Sequence, residues 1–144
     1  EKSQICCFYQ FLVYSHKYNK ENKTLYYSNA GHNPLVVYRA STDSIELHTV
    51  KGVAIGFLEE YKYRQGEIQL NKGDIVIFYT DGITEAENSN KEMFGLERLK
   101  EVIYNNKNKS PKELRKVILE SINRFRKDYE QTDDLTFVIL KSNV

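Results

Sequence analysis

The stretch Gly73-Asp74-Ile75-Val76-Ile77-Phe78-Tyr79-Thr80-Asp81-Gly82 leaves a turn, runs through uninterrupted apolar chain, and ends on an acid and a glycine. Between Ile75 and Tyr79 no polar residue alternates with the apolar ones, so neither face of a strand built from them is meant for water. Such a strand belongs in the middle of a layered fold. Upstream, Ile5 to Tyr14 is dense in β-branched and aromatic residues, and the polar stretch Ser15 to Lys23 reads as the turn that follows it. Thr24 to Ser28 and Leu35 to Arg39 read as strands on either side of Asn29-Ala30-Gly31-His32-Asn33-Pro34, a loop of turn formers. Ile45 to Val50 is another short alternating segment. Glu67-Ile68-Gln69-Leu70 alternates polar and apolar, as a half-buried strand does.

Downstream of residue 94 the period changes. Leu96, Leu99, Val102 and Ile103 share a helical face. Ser110-Pro111-Lys112-Glu113 is a capping box with proline at the first helical position, and Leu114, Val117, Ile118, Ile122 and Phe125 continue as one apolar stripe. Leu135 to Leu140 is a last apolar strand, preceded by Thr132-Asp133-Asp134. Strands, two helices and a returning strand, without regular strand-helix alternation, make an α+β fold.

The 144 residues suit one domain rather than two. Lys plus Arg number 21 against 20 Asp plus Glu, a formal charge of +1, which argues against nucleic acid and anionic membrane as partners. A hydrophobic share of 40% is enough to bury a core. No segment reaches the roughly 20 apolar residues of a membrane span. Cys6 and Cys7 are adjacent and have no CxxC-type partner, so they are expected as reduced thiols, and a cytoplasmic setting follows. The start, Glu1-Lys2-Ser3-Gln4, has neither an initiator Met nor a secretion signal and reads as a cut end.

The acids carry the chemistry. Asp81-Gly82 comes directly after one buried strand and Asp133-Asp134 directly before another. If those strands are antiparallel neighbours, the acids emerge at one end of the sheet and can hold a hard cation such as Mg²⁺ or Mn²⁺, with Gly82 letting the backbone approach. Taken singly, Asp-Gly is a common hairpin turn and Asp-Asp a solvated loop. His32 is the one histidine in a structured loop, and His16 and His48 have no convergent partners in sequence. The chain has no Gly-x-Ser-x-Gly elbow, no GxxxxGK[ST] loop and no GxGxxG.

Asn29-Ala30-Gly31-His32-Asn33-Pro34, Gly52-Val53-Ala54-Ile55-Gly56, Gly73-Asp74 leading into Tyr79-Thr80-Asp81-Gly82-Ile83-Thr84-Glu85-Ala86, Phe94-Gly95 and Asp133-Asp134-Leu135-Thr136 together resemble the bacterial PPM-type serine phosphatases, relatives of protein phosphatase 2C. Within them they are similar to the branch typified by the stage II sporulation phosphatase and the stress-response sigma-factor regulators. The resemblance runs from about Cys7 to Leu140. It implies a β-sandwich flanked by helices, two Mn²⁺ or Mg²⁺ ions at one end, and attack of a metal-bound water on a phosphoserine or phosphothreonine ester without a phosphoenzyme. The metal ligands it implies are Asp81 and Asp133, with Gly82 beside the first and Asp134 ranked below Asp133. The implied substrate is an anti-sigma-factor antagonist or similar signalling protein, with a sensor or receiver domain upstream.

The family also begins with an Asp-x-x-Gly-His-Gly motif whose Asp bridges both metals, whereas the first Asp of this chain is Asp43. Residues 1–144 are therefore expected to be the C-terminal portion of one phosphatase domain. Taken alone they should bind metal weakly, turn over little substrate, and be prone to dimerise through sheet edges. The competing reading is a non-catalytic protein-interaction or sensor domain that keeps the same fold.

Overall fold

A computed structural model describes residues 16–19, 21–127 and 134–143. The elements in order are β1 (His16–Asn19), β2 (Thr24–Tyr27), β3 (Leu35–Arg39), β4 (Ser44–His48), β5 (Gly66–Gln69), β6 (Ile75–Tyr79), α1 (Asp81–Thr84), α2 (Gly95–Asn105), α3 (Pro111–Arg126) and β7 (Phe137–Lys141). They form two antiparallel sheets, one in the order β1-β2-β5 and the other β4-β3-β6-β7. The expected segment Ile5 to Tyr14, with Cys6 and Cys7, lies outside the described residues.

All five residues of β6 are buried, as the unbroken apolar run requires. Val76 and Phe78 pack with Leu35 and Val37 of β3 against Leu25, Tyr27 and Ile68 of the smaller sheet. On the other face, Ile75, Ile77 and Tyr79 pack with Val36 and Tyr38 against Leu99 and Ile103 of α2 and Leu114, Ile118 and Ile122 of α3. The larger sheet is thus the middle of three layers, and the alternation of side chains along β6 divides one strand between two cores.

The second long helix starts where its cap places it. Ser110 Oγ accepts from the Glu113 amide at 3.3 Å, and the Glu113 carboxylate accepts from the Ser110 amide at 2.9 Å, closing the capping box. Arg98 of α2 donates to the carbonyls of Met93 and Phe94 and lies over the Phe125 ring, joining the two helices.

One expectation is corrected. His16–Asn19, inside the polar stretch read as a turn, is a strand paired antiparallel with β2. The reversal is confined to the residues around 21–23, where the Asn19 side chain accepts from the Glu21 amide, the Asn22 side chain accepts from the Thr24 amide, and Lys23 takes φ 54°. Asn side chains that bond their own backbone two residues on make so tight a turn that the polar residues before it are free to pair.

The end of the larger sheet where β6 begins is tied down by a buried acid. Asp74, fully buried, accepts from the amides of Ala40 (2.8 Å) and Asn71 (3.0 Å) and from Arg39 (3.1 Å). Arg39 also donates to the Gln69 carbonyl on the smaller sheet at 2.7 Å, so this one guanidinium spans both sheets. His48, which had no partner legible in sequence, meets the Glu46 carboxylate at 2.8 Å.

Candidate functional site

The two acid-bearing segments meet because β6 and β7 are antiparallel neighbours in the register Tyr79↔Phe137. The chain leaving β6 at Thr80-Asp81 therefore lies beside the chain entering β7 through Asp134, Leu135 and Thr136. The Thr80 amide continues the ladder by donating to the Thr136 carbonyl at 3.0 Å. The buried Thr80 hydroxyl lies 3.4 Å from the Asp134 carbonyl oxygen and 3.3 Å from that of Thr136, and accepts from the Thr136 amide at 3.3 Å. Behind it, burial pushes the Tyr79 phenol up to about 12, so that side chain stays protonated at any physiological pH.

Asp81 does not enter a hairpin turn. It opens the one-turn helix α1, its carboxylate accepting from the Gly82 amide at 3.0 Å and its carbonyl from Glu85 at 2.7 Å. Asp81 is half-buried, Gly82 is buried and Asp134 is exposed. Asp133, the other acid singled out in the sequence, lies outside the described residues.

Two loops converge on the same end. The registers Val36↔Ile77 and Leu35↔His48 bring the start of β3 and the end of β4 to the end of the sheet where β6 stops. The loops 29–34 and 49–58 therefore lie at the same end of the sheet as Asp81. His32 lies in the first of them, but Asn29 organises it. Buried to 3% exposure, Asn29 donates to the His32 carbonyl (2.9 Å) and the Thr49 hydroxyl (3.1 Å) and accepts from the His32 amide (2.7 Å). Sequence reasoning passed over Asn29; its only signal was an Asn opening a loop that contains Gly and Pro.

Hard divalent cations take carboxylate, carbonyl and water oxygens, and the donors at this end are of that type. Asp81 and Asp134 supply carboxylates from two adjacent segments, while among the described residues no three His, Cys, Asp or Glu gather to hold a metal. Carboxylate oxygens of this kind suit Mn²⁺ or Mg²⁺, and the two described acids alone are too few to enclose either ion. Among them, too, no helix is long and apolar enough to cross a membrane.

Residues 5–143 match the sequence pattern of the Stage II sporulation protein E (SpoIIE) family. The chain belongs to this family. It is 30% identical over 129 residues to the phosphoserine phosphatase RsbU of Bacillus subtilis, a match that takes in 88% of this chain and 37% of RsbU. This member of the SpoIIE family thus spans little more than a third of that relative. Its fold is that of the phosphatase domain of the cell fate determinant SpoIIE from Bacillus subtilis, solved in a Mn-presoaked form, with TM-score 0.68 and 19% identity over 90% of this chain and 55% of the other. The SiaA PP2C domain of Pseudomonas aeruginosa matches with TM-score 0.71 and 19% identity over 85% of this chain and 48% of that one. At these identities the likeness is one of fold, and it agrees with the sandwich and flanking helices expected from the sequence.

Proposed function

We propose that the protein containing this chain is a metal-dependent protein phosphatase that hydrolyses phosphoserine or phosphothreonine esters, with an anti-sigma-factor antagonist or similar cytoplasmic signalling protein as substrate. On this reading residues 1–144 are the C-terminal portion of one PPM-type domain that follows a sensor or receiver domain. The observation that supports it most is the β6–β7 pairing, which sets the Asp81 segment beside the segment leading from Asp134 into β7 in a SpoIIE family chain.

Bound Mn²⁺ or Mg²⁺ would supply a water of lowered pKa and positive charge to offset that of the phosphoryl group. The chain's own residues hold and space that charge. Asp81 and Asp133 offer carboxylates, Asp134 stands next to them in rank, and Gly82, having no side chain, leaves the backbone open to close approach.

The test is hydrolysis of p-nitrophenyl phosphate and of a phosphorylated antagonist protein by the full-length protein as Mn²⁺ is titrated. Asp81→Asn should lower turnover at least about a hundredfold, more than is usual for groups one step removed from a metal ligand, with an unchanged circular dichroism spectrum. Turnover that ignores both Mn²⁺ and Asp81→Asn sinks the proposal. The alternative is a non-catalytic interaction or sensor domain that keeps the same fold. It requires a full-length protein that binds the antagonist without dephosphorylating it.

A further inference from the structure

Thr80 stands at the N-cap of α1, where a threonine hydroxyl ordinarily accepts from an amide of its own helix. Here the side chain makes no such bond. Its hydroxyl is turned across the strand gap instead, to the carbonyl oxygens of Asp134 and Thr136 and the amide of Thr136. The hydroxyl has one proton and two lone pairs, so it can share that proton between the two carbonyls while accepting from the amide. All three atoms belong to the segment that leads from the second acid pair into β7, and Thr80 itself is covalently next to Asp81. The residue is buried, so water does not compete for these bonds.

We infer that Thr80 is a positioning residue: its hydroxyl fixes the separation between Asp81 and Asp134, and so sets how well the two carboxylates can share a divalent cation. The inference rests on the metal-phosphatase reading above and goes beyond it by naming a residue that touches neither metal nor substrate. The backbone ladder alone, through the Thr80 amide and the Thr136 carbonyl, holds the strands together but stops short of Asp134. The hydroxyl reaches further along the segment, to the Asp134 carbonyl.

The experiment compares Thr80→Val, which keeps the shape and loses the hydroxyl, with Thr80→Ser, which keeps the hydroxyl, in the full-length protein. Mn²⁺ binding is measured directly by calorimetry, alongside melting of the metal-free protein. Thr80→Val is expected to weaken Mn²⁺ binding on the order of tenfold while the metal-free protein still melts cooperatively, and Thr80→Ser to restore wild-type affinity. Wild-type Mn²⁺ affinity in Thr80→Val overturns the inference. Asp81→Asn separates the two claims. If it abolishes Mn²⁺ binding and Thr80→Val does not weaken it, the positioning role falls and the metal reading stands; if it leaves Mn²⁺ binding intact, both fall. Should Thr80→Val fail to fold, Thr80→Ala replaces it, and failure of both to fold makes Thr80 a residue of the fold alone and overturns the inference.

Discussion

Gly52 lies so close to Asn29 that a methyl group in place of its hydrogen would sit 1.7 Å from the Asn29 carbonyl oxygen. The opposing atoms are backbone, which cannot swing aside as a side chain tip would. Gly31, at φ +85°, approaches the Ala54 amide from the other side, so the loops 29–34 and 49–58 interlock through a glycine on each. Gly52→Ala is expected to cost about 3 kcal/mol of unfolding free energy, the upper part of the usual range for overpacking. Urea denaturation of the two proteins checks it, and an unchanged midpoint would show that the loops can part without loss.

Asp74 makes a different prediction. Its carboxylate is fully buried and binds two amides and Arg39, and while Arg39 keeps Glu46 and the Gln69 carbonyl, removal of Asp74 leaves the two amide donors unpaired. Asp74→Ala should destabilise by about 2–4 kcal/mol, from two buried amides each left without an acceptor. The effect should appear in denaturant midpoints, with Mn²⁺ binding by the folded fraction unaffected, since Asp74 stands at the end of β6 opposite Asp81.

The capping box supplies a smaller effect. Ser110→Ala removes the oxygen that accepts from the Glu113 amide and is expected to cost about 1 kcal/mol. Helix content at 222 nm should hold near 25 °C while the thermal midpoint falls.

Acid should weaken the fold through particular carboxylates. Lys107, Tyr38 and Tyr104 all donate to Asp43 and hold its carboxyl below its usual value, the ammonium acting most strongly. His48 and then Arg39 lower Glu46, and the hydroxyl and amide of Ser110 lower Glu113. A carboxyl depressed in the folded state adds stability that is fully present above its unfolded value, near 4, and is lost as pH falls through the folded one. Stability should therefore be flat with respect to these groups from pH 7 to about 5 and decline below about 4. Asp43→Asn should lower the urea midpoint at pH 7 and lose that effect at the acid end; a difference independent of pH would remove Asp43 from the account.

What could be read from the sequence was what local pattern dictates. The five apolar residues of β6 announced a strand covered on both faces, and Ser110-Pro111-Lys112-Glu113 announced the start of α3. The acids flanking β6 and β7 could be singled out because a strand fixes the direction of the residue at its end. What stayed hidden was set by partners distant in the chain. Thr80 finds Thr136 56 residues on, and Asn29 finds Thr49 20 residues on, and the local sequence names neither partner. The strand β1 stayed hidden for a related reason, since its polar composition matches a turn until β2 is there to pair with it.

Alternate residues of β6 belong to opposite cores, as do those of its neighbour β3, so these two strands link the helix pair to the smaller sheet, and Asp81 follows directly on the end of β6. A shift of α3 acts on Ile75, Ile77 and Tyr79; a shift of β2 acts on Val76 and Phe78. The acid therefore follows a strand whose packing is shared between two layers on opposite sides of a sheet.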